Sequence, residues 1–247
     1  MISETDPASD ILAERRRTWK RKEILRRLYE RWYRKISEAA RPGLIIELGG
    51  GSGNIKDFFP HAVTTDVVHA PWLDAVLDAH RLPLKEGSVD TIVLFDVLHH
   101  LEDSLAFFDE AERVLKPGGR VVMMEPYVSW LSYPVYRFLH PEGMDGAVNP
   151  FEKGKGPTMD KDPFQGNQAI PKLLFERHRA EFLSHFPELR IIREERTDPF
   201  LYPLSGGFHH PGLCPVAFWK PLALLEKMAQ PLARYLAFRM FLVLEKL

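Results

Sequence analysis

The sequence predicts an α/β fold in which helices cover both faces of a doubly wound, largely parallel sheet. The first sign is a glycine-rich turn after a short apolar stretch, at Leu44-Ile45-Ile46-Glu47-Leu48-Gly49-Gly50-Gly51-Ser52-Gly53-Asn54. The second is the alternation of short β-rich and helical stretches that follows, from residue 62 to residue 125. In doubly wound folds such a turn joins a strand to a helix N-terminus and forms a ligand crevice at the carboxyl end of the sheet.

Length and composition limit the class of protein. With 247 residues and 45% hydrophobic content, the chain can bury a full core, and one large domain with added segments is expected. The formal net charge of -1 gives no overall sign of a nucleic-acid-binding protein. Cys214 is the only cysteine, which fits a reducing compartment. There is no apolar signal core at the start and no apolar run of ~18–20 residues, so a soluble cytoplasmic protein is expected.

Residues 1–41 form a segment of distinct composition, in which basic side chains outnumber acidic ones between Glu14 and Arg41. An apolar stripe at three- and four-residue spacing predicts a basic amphipathic helix, with Leu25, Leu28, Tyr29, Trp32 and Ile36 on one face. The helix could pack this stripe on the domain and leave its arginines in solvent. It could also present a surface to anionic lipid, a phosphorylated substrate or nucleic acid. Pro42-Gly43 ends the helix, and residues 42–247 are expected to form the main domain.

The register of the glycines argues against a dehydrogenase. The dinucleotide pattern G-x-G-x-x-G needs glycine at position 54 or 56, where the chain has Asn54 and Lys56. The pattern present is an acid followed by alternating glycines, at Glu47, Gly49, Gly51 and Gly53.

The predicted strands follow the glycine turn in order. Residues 62–67 form the second strand, with Asp66 at its end, and the third, near 75–77, is poorly marked. The fourth strand is 90–95, a helix spans 104–115, and L-K-P-G-G at 115–119 turns into a strand at 121–125. An acid about 20 residues past the turn commonly binds ribose hydroxyls in doubly wound folds, although Asp66 could instead cap the next turn.

Four motifs occur in order: E-x-G-x-G-x-G at 47–53, L-D-A-H-R-L-P-L at 77–84, V-L-H-H at 97–100 and L-K-P-G-G at 115–119. In this combination the chain resembles the class I S-adenosylmethionine-dependent methyltransferases of small molecules, including those of quinone biosynthesis. The resemblance covers roughly residues 42–126. It implies a Rossmann-like, seven-stranded sheet of order 3-2-1-4-5-7-6, parallel except for one antiparallel strand, and S-adenosylmethionine as methyl donor.

The same resemblance implies the donor site. Glu47 would meet the methionine amino end, Asp66 would hold ribose, and Asp78 with Ala79 would hold adenine. The complete set of expected donor-binding residues is Glu47, Gly49, Gly50, Gly51, Gly53, Asp66, Val67, Asp78, Ala79, Phe95, Asp96, Val97 and His100.

Methyl transfer to a hydroxyl group needs a base, and the chain offers several near the expected ligand face. The leading candidates for catalysis are His99, His100 and Glu125, and the wider set adds Tyr127, His140, His209 and His210. The V-L-H-H segment could instead serve packing and donor contact. No H-E-x-x-H or C-x-x-C pattern is present, so no metal site is expected.

The second half of the chain predicts a helix at 171–186, strands at 188–195 and 239–245, and two lid insertions at about 127–170 and 196–237. The second insertion is rich in aromatic side chains, which suit an apolar acceptor or form the core of the lid. An apolar stripe within it suggests an internal helix seam or a dimer contact, at Leu222, Leu225, Met228, Leu232, Tyr235 and Leu236.

The predicted function is methyl transfer from S-adenosylmethionine to a small molecule, such as a lipid, quinone, polyketide or sugar derivative. The alternative is a donor-binding scaffold or partner subunit whose lid fills the acceptor space. DNA is not an expected substrate, because residues 95–98 read F-D-V-L rather than the N-P-P-Y type of segment that holds a flipped base. The N-terminal helix could contact an anionic membrane or a phosphorylated substrate, and the oligomeric state is left open.

Overall fold

The computed structural model describes residues 7–152 and 162–247. Its seven strands form one sheet of order β3-β2-β1-β4-β5-β7-β6. They are β1 Ile45–Leu48, β2 Val63–Asp66, β3 Ala75–Val76, β4 Val89–Phe95, β5 Leu115–Pro126, β6 Leu189–Thr197 and β7 Arg239–Lys246. Only β7 runs antiparallel to its neighbours, β5 and β6. The predicted Rossmann-like fold and strand order are confirmed.

The L-K-P-G-G segment lies inside a strand rather than before one. Pairing between β4 and β5 passes from Val89–Leu115 directly to Thr91–Arg120, so the residues between Leu115 and Arg120 bulge out of the ladder. Gly118 has φ +74°, a conformation that favours glycine. The glycines therefore allow β5 to begin earlier than the predicted residue 121.

The N-terminal segment forms two helices instead of the single predicted one. They are α1 Pro7–Arg21 and α2 Glu23–Ala39, separated at Lys22, whose extended backbone (φ −97°, ψ 92°) interrupts the helical hydrogen bonds. The apolar stripe of α2 is buried on the sheet, where Leu28, Trp32 and Ile36 share a core cluster with Val93 and Phe241. Packing on the domain, the first of the two predicted roles, is therefore confirmed for α2.

Helices cover both faces of the sheet. One face carries α3 Ser104–Val114 and the segment from Ile170 to His185, and the other carries α2 and α7 Leu201–Ser205. The predicted helix at 171–186 is three successive pieces: α5 Ile170–Lys172, a π-helical turn Leu173–Arg177 and α6 Arg179–His185. These two apolar layers hold the carboxyl ends of β1, β2, β4 and β5 together at one edge.

Both predicted insertions leave that edge. The first contains α4 Ser132–Phe138, and its residues 153–161 lie outside the described part of the chain. The second contains α7, α8 Trp219–Met228 and α9 Ala233–Leu236. The predicted internal seam of this insertion is wrong: Leu222 packs on the core, whereas Leu225, Met228, Leu232 and Tyr235 are 46–70% exposed. Within the described ranges, no helix is both long and apolar enough to cross a bilayer.

Candidate active site

The glycine turn is shaped by contacts that exclude side chains. Gly49 has φ +67°, and a Cβ there would lie 2.3 Å from Val97 Cγ2. A Cβ on Gly50 would lie 2.8 Å from Glu47 Oε2. The turn is tied to β2 through Asp66, whose carboxylate accepts hydrogen bonds from the Gly51 and Val68 amides, each at 2.9 Å. The backbone therefore stays open toward the space above the sheet.

Glu47 is a buried carboxyl group with an unsatisfied oxygen. Its side chain is 1% exposed, and among the described residues Oε2 has no hydrogen-bond partner. Burial, with the nearby charge of Asp66, raises the pKa of Glu47 well above its ordinary value. A positively charged ligand group would supply the missing partner and favour the ionised form.

A cavity of about 1410 Å³ lies over the glycine turn and the carboxyl ends of the strands. All of the expected donor-binding residues line it except Gly53. At Gly53 (φ +70°) a Cβ would lie 2.6 Å from the Trp72 ring and 2.9 Å from Arg16 Nη1. Glycine at this position, one of the expected donor-binding residues, makes room for these two side chains.

Helix α1 covers the turn, which the sequence analysis missed. Ala8, Leu12 and Arg15 line the cavity. Arg16 Nη1 donates to the Ser52 carbonyl at 2.6 Å, and its guanidinium lies over the Trp72 ring at 4.9 Å. In the sequence this basic run was indistinguishable from a solvated helix face.

On the opposite wall, His99 is held between two carboxylates. Its Nδ1 lies 2.7 Å from Glu125 Oε2, and its Nε2 lies 3.1 Å from Glu142 Oε2. Burial alone would lower the pKa of His99, but the hydrogen bonds to both carboxylates outweigh it and raise the pKa to about 9. Conversely, although burial favours its neutral form, the bond to His99 lowers the pKa of Glu142 to about 2. At neutral pH His99 is therefore an imidazolium with both nitrogens engaged.

Two histidines near His99 are uncharged, in contrast to His99 itself. Burial, reinforced by the charge of His99, lowers the pKa of His100 to about 4. Burial likewise lowers the pKa of His140 to about 4. Both rings line the cavity, as do His209 and His210. His100 and His140 are therefore neutral at pH 7.

Glu125 does not line the cavity, in contrast to its predicted role as a catalytic candidate. It is fully buried, and its Oε1 accepts the Val97 and Leu98 amides, each at 2.9 Å. Together with its bond to His99, these contacts occupy both carboxylate oxygens. Glu125 thus positions the loop after β4 and orients the His99 ring.

An ion pair between a buried arginine and a partly exposed aspartate forms a third part of the wall. Arg239, at the start of β7, is 1% exposed, and its Nη2 lies 2.5 Å from Asp96 Oδ1. The guanidinium also lies over the rings of Trp32 and Tyr202, at 5.2 and 5.1 Å. Asp96 has a positive φ of 57°, which is unusual for a residue other than glycine. The sequence identified Asp96, but nothing in it marked Arg239 as more than a strand residue.

The structure also brings together two groups of side chains of the types that can ligate a metal. They are His99, His100 and Glu142, and Asp96, His99 and Glu125; within each group the ligand atoms lie within 4.8 Å of one another. In both groups His99 already bonds directly to a carboxylate. The separation of His99 and Glu142 by 43 positions explains why no sequence motif showed the first group.

Comparison with known proteins agrees with this geometry. Residues 47–123 match the family model of a methyltransferase domain. A probable S-adenosylmethionine-dependent methyltransferase of Mycolicibacterium smegmatis is 38% identical over 71 residues, covering 29% of this chain and 24% of that protein. A demethylmenaquinone methyltransferase of Streptomyces griseus is 33% identical over 136 residues, covering 48% of this chain and 58% of that protein. The matches thus span less than two thirds of either relative.

Among solved structures, a SAM dependent methyltransferase from Archaeoglobus fulgidus aligns with a TM-score of 0.55. The alignment covers 90% of this chain and 94% of that one at 11% identity, so it shows likeness of fold alone. The matched domain, the strand order and the motifs in the turn and after β4 agree. The chain thus contains a methyltransferase domain match over residues 47–123 and is similar to the class I S-adenosylmethionine-dependent methyltransferases.

Proposed function

We propose that this protein transfers the methyl group of S-adenosylmethionine to a small, largely apolar acceptor such as a lipid or quinol. The observation that carries the proposal is that one cavity joins the glycine turn to a wall of histidines and aromatic rings. Its volume of about 1410 Å³ exceeds the roughly 300–1,000 Å³ typical of a pocket for one ligand. The space therefore suits a donor and an acceptor together.

The residues at the glycine turn fit the donor. The unsatisfied Oε2 of Glu47 suits its ammonium group, and the bare backbone at Gly49 and Gly50 allows close approach. Asp66 lines the cavity and keeps further acceptor capacity for ribose hydroxyls, while Asp78 and Ala79 line the adenine end. The donor's sulfonium makes its methyl group electrophilic, so the protein must mainly align the acceptor and exclude water.

We assign His100 the role of general base. His99 carries its proton at neutral pH and has both nitrogens engaged, whereas His100 is neutral and lies on the cavity wall. When bound, the donor would supply an electrophilic methyl group, and the His100 ring would accept the proton that the acceptor loses as it is methylated. The positive charge of His99 stabilises negative charge that develops on the acceptor.

The part of the cavity wall away from the glycine turn indicates the class of acceptor. Apolar and aromatic groups from both insertions line this part of the cavity: Tyr136, Leu139, Phe164, Tyr202, Phe208 and Phe238. Such a surface favours a flat or chain-like apolar acceptor over a sugar. The names of the demethylmenaquinone methyltransferases among the relatives agree with this class. The scaffold alternative would need a filled acceptor space, which the cavity volume disfavours.

The sequence also suggested that the N-terminal helices contact an anionic membrane or a phosphorylated substrate. Basic side chains of α1 and α2 are largely engaged within the protein, for example Arg27 with Glu23 at 2.9 Å and Lys35 with Glu195 at 2.6 Å. We therefore do not assign membrane or phosphate binding to these helices. A cytoplasmic location, expected from the lone Cys214, stays a prediction.

The test is calorimetric titration with S-adenosylmethionine, S-adenosylhomocysteine and NAD, followed by transfer of a labelled methyl group. We expect micromolar binding of both adenosyl ligands and none of NAD, and Asp66→Ala should weaken that binding by about 1–3 kcal/mol. The acceptor probes are a reduced short-chain demethylnaphthoquinone and a bacterial lipid extract.

In the transfer assay, His100→Asn should keep donor affinity and lower turnover about 10²- to 10⁴-fold. Absence of adenosyl binding would overturn the proposal. Donor binding without transfer to either probe would favour the scaffold.

A further inference from the structure

Two segments beside the cavity expose many large apolar side chains. They are residues 130–140 and 211–236, which together we name the apolar face. Trp130 is 83% exposed and Phe138 75%, values that are high for aromatic residues of a folded protein. The other large exposed apolar residues on the face are Tyr133, Leu139, Leu213, Phe218, Leu224, Leu225, Met228, Leu232 and Tyr235.

The charges on the apolar face have one sign. Its exposed charged residues are Arg137, Lys220, Lys227 and Arg234. Within these two described segments the single acidic residue is Glu226, which is 6% exposed. Its carboxylate points inward, with one oxygen 2.8 Å from Arg31 Nη1 and the other accepting the Leu201 amide at 2.8 Å. The outer surface therefore combines apolar side chains with positive charge alone.

The two segments are neighbours, and each contributes residues to the cavity wall. Pro126 at the end of β5 pairs with Arg239 at the start of β7, and the Leu131 amide donates to the Tyr235 carbonyl at 3.0 Å. Leu139 and Leu213 are 66% and 76% exposed and also line the cavity. The apolar face thus continues from the outer surface to the cavity wall.

We propose that the apolar face docks on an anionic lipid bilayer. Aromatic and aliphatic side chains enter the interface between head groups and acyl chains, and lysine and arginine meet the negative lipid charge. A second copy of the chain fits less well, because a symmetric contact would bring the same basic groups together. If the proposed transfer reaction holds, an amphiphilic acceptor could pass from the bilayer past Leu139 and Leu213 into the cavity; the docking itself does not depend on that reaction.

This site differs from the N-terminal helices, where the sequence had suggested membrane contact. On α1, Arg17 and Arg21 both pair with Glu14. Exposed Glu30 and Glu38 add negative charge on α2. Surface charge there is mixed, whereas on the apolar face it is uniformly basic.

The test is sedimentation of the full chain with vesicles of phosphatidylcholine alone and of phosphatidylcholine mixed with phosphatidylglycerol. We expect binding to the mixed vesicles that weakens with added salt. The double variant Lys220→Glu/Lys227→Glu should bind about thirty-fold more weakly or worse, since each basic residue near a membrane surface contributes about fivefold. Its matched control is Lys20→Glu/Arg34→Glu on α1 and α2, which changes net charge equally and should bind like wild type.

A second pair of variants tests the apolar contribution. Trp130→Ser/Phe138→Ser should lose at least about tenfold in vesicle binding, whereas Ile192→Ser/Leu247→Ser, on exposed residues of β6 and the C-terminus, should not. Unchanged donor titration shows that each variant is folded. Equal loss in both charge variants, loss in the α1 and α2 control alone, or absence of binding to either vesicle would overturn the proposal. So would a concentration-dependent dimer that Trp130→Ser/Phe138→Ser abolishes without any vesicle binding.

Discussion

His99 and His100 are adjacent in the chain, yet their surroundings give them opposite charges at neutral pH. The His99 ring is buried and the His100 ring is 15% exposed, and withdrawal from solvent disfavours the charged form of each. His99 overcomes this cost because Glu125 and Glu142 accept from its two nitrogens, and its charge then adds to the burial that keeps His100 neutral. One pair of carboxylates thus keeps His99 positively charged beside a neutral His100.

The folded-state pKa of His99 is raised to about 9, above its ordinary value of 6.5, so its ion pairs stabilise the fold fully below pH 6.5. That stabilisation is lost as pH rises through 9. Relative to His99→Gln, we expect wild type to lose about 3 kcal/mol of unfolding free energy between pH 6.5 and 9.5. Urea unfolding across this range measures it.

His100→Asn serves as the control, because His100 is neutral in the folded state over that range and only its unfolded form titrates near pH 6.5. Its difference from wild type should change by less than about 0.5 kcal/mol between pH 6.5 and 9.5. A His99→Gln difference equally independent of pH would show that His99 is not protonated in the folded protein.

At the scale of elements, helix α2 is fastened to the second insertion by a buried charge cluster. Arg31 forms ion pairs with Asp198 and Glu226, whose side chains are 1% and 7% exposed. Trp32 Nε1 donates to the same Asp198 at 2.9 Å. Because the insertion also forms part of the cavity wall, this cluster couples the N-terminal helices to the site.

Arg31→Met should lower the free energy of unfolding by about 3 kcal/mol, since it leaves two buried carboxylates without their cation. Arg34→Met, an exposed residue one turn further along α2, should change it by less than about 0.5 kcal/mol. Denaturant midpoints with unchanged slopes provide the comparison. Similar effects of the two substitutions would mean that the cluster does not fasten the helix.

At the scale of the whole molecule, the sheet and the N-terminal segment share one core. Leu28, Trp32 and Ile36 of α2 pack with Val93, Val122 and Phe241 of three strands. Burial of a large apolar side chain contributes about 1.5–3 kcal/mol, so these contacts are a substantial part of the total stability. The predicted division at residue 41 is therefore a change in composition, and we propose that it is not a boundary between independently folding units.

Native-state hydrogen exchange tests this proposal. Peptides from α2 and β4 should open with the same free energy, because neither can expose its apolar face without the other. Helix α1, which lies over the glycine turn, should exchange earlier unless S-adenosylmethionine is present. Exchange of α2 well before β4 would instead identify residues 1–41 as a separate unit.

Features encoded by neighbouring residues could be predicted from the sequence. Local backbone preferences and the periodicity of apolar residues determine the glycine turn, its flanking strands and the positions of Glu47 and Asp66. Both signals can be read from residues that are close together in the chain. The position of the loop after β4 could also be predicted, because the residues that follow a strand lie at its carboxyl end whatever packs around it. The residues expected to bind the donor could therefore be named from the sequence, and all of them except Gly53 line the cavity.

The contacts around the histidines of the cavity wall were decided by tertiary structure alone. Glu142 reaches His99 across 43 positions, and Arg239 reaches Asp96 across 143 positions, through the order in which strands pack. The sequence does not show whether the basic residues of α1 or the apolar residues of α8 and α9 are buried or exposed. Only the packed molecule shows that Arg16 bonds to the glycine turn while Met228 faces solvent, because burial depends on which surfaces meet.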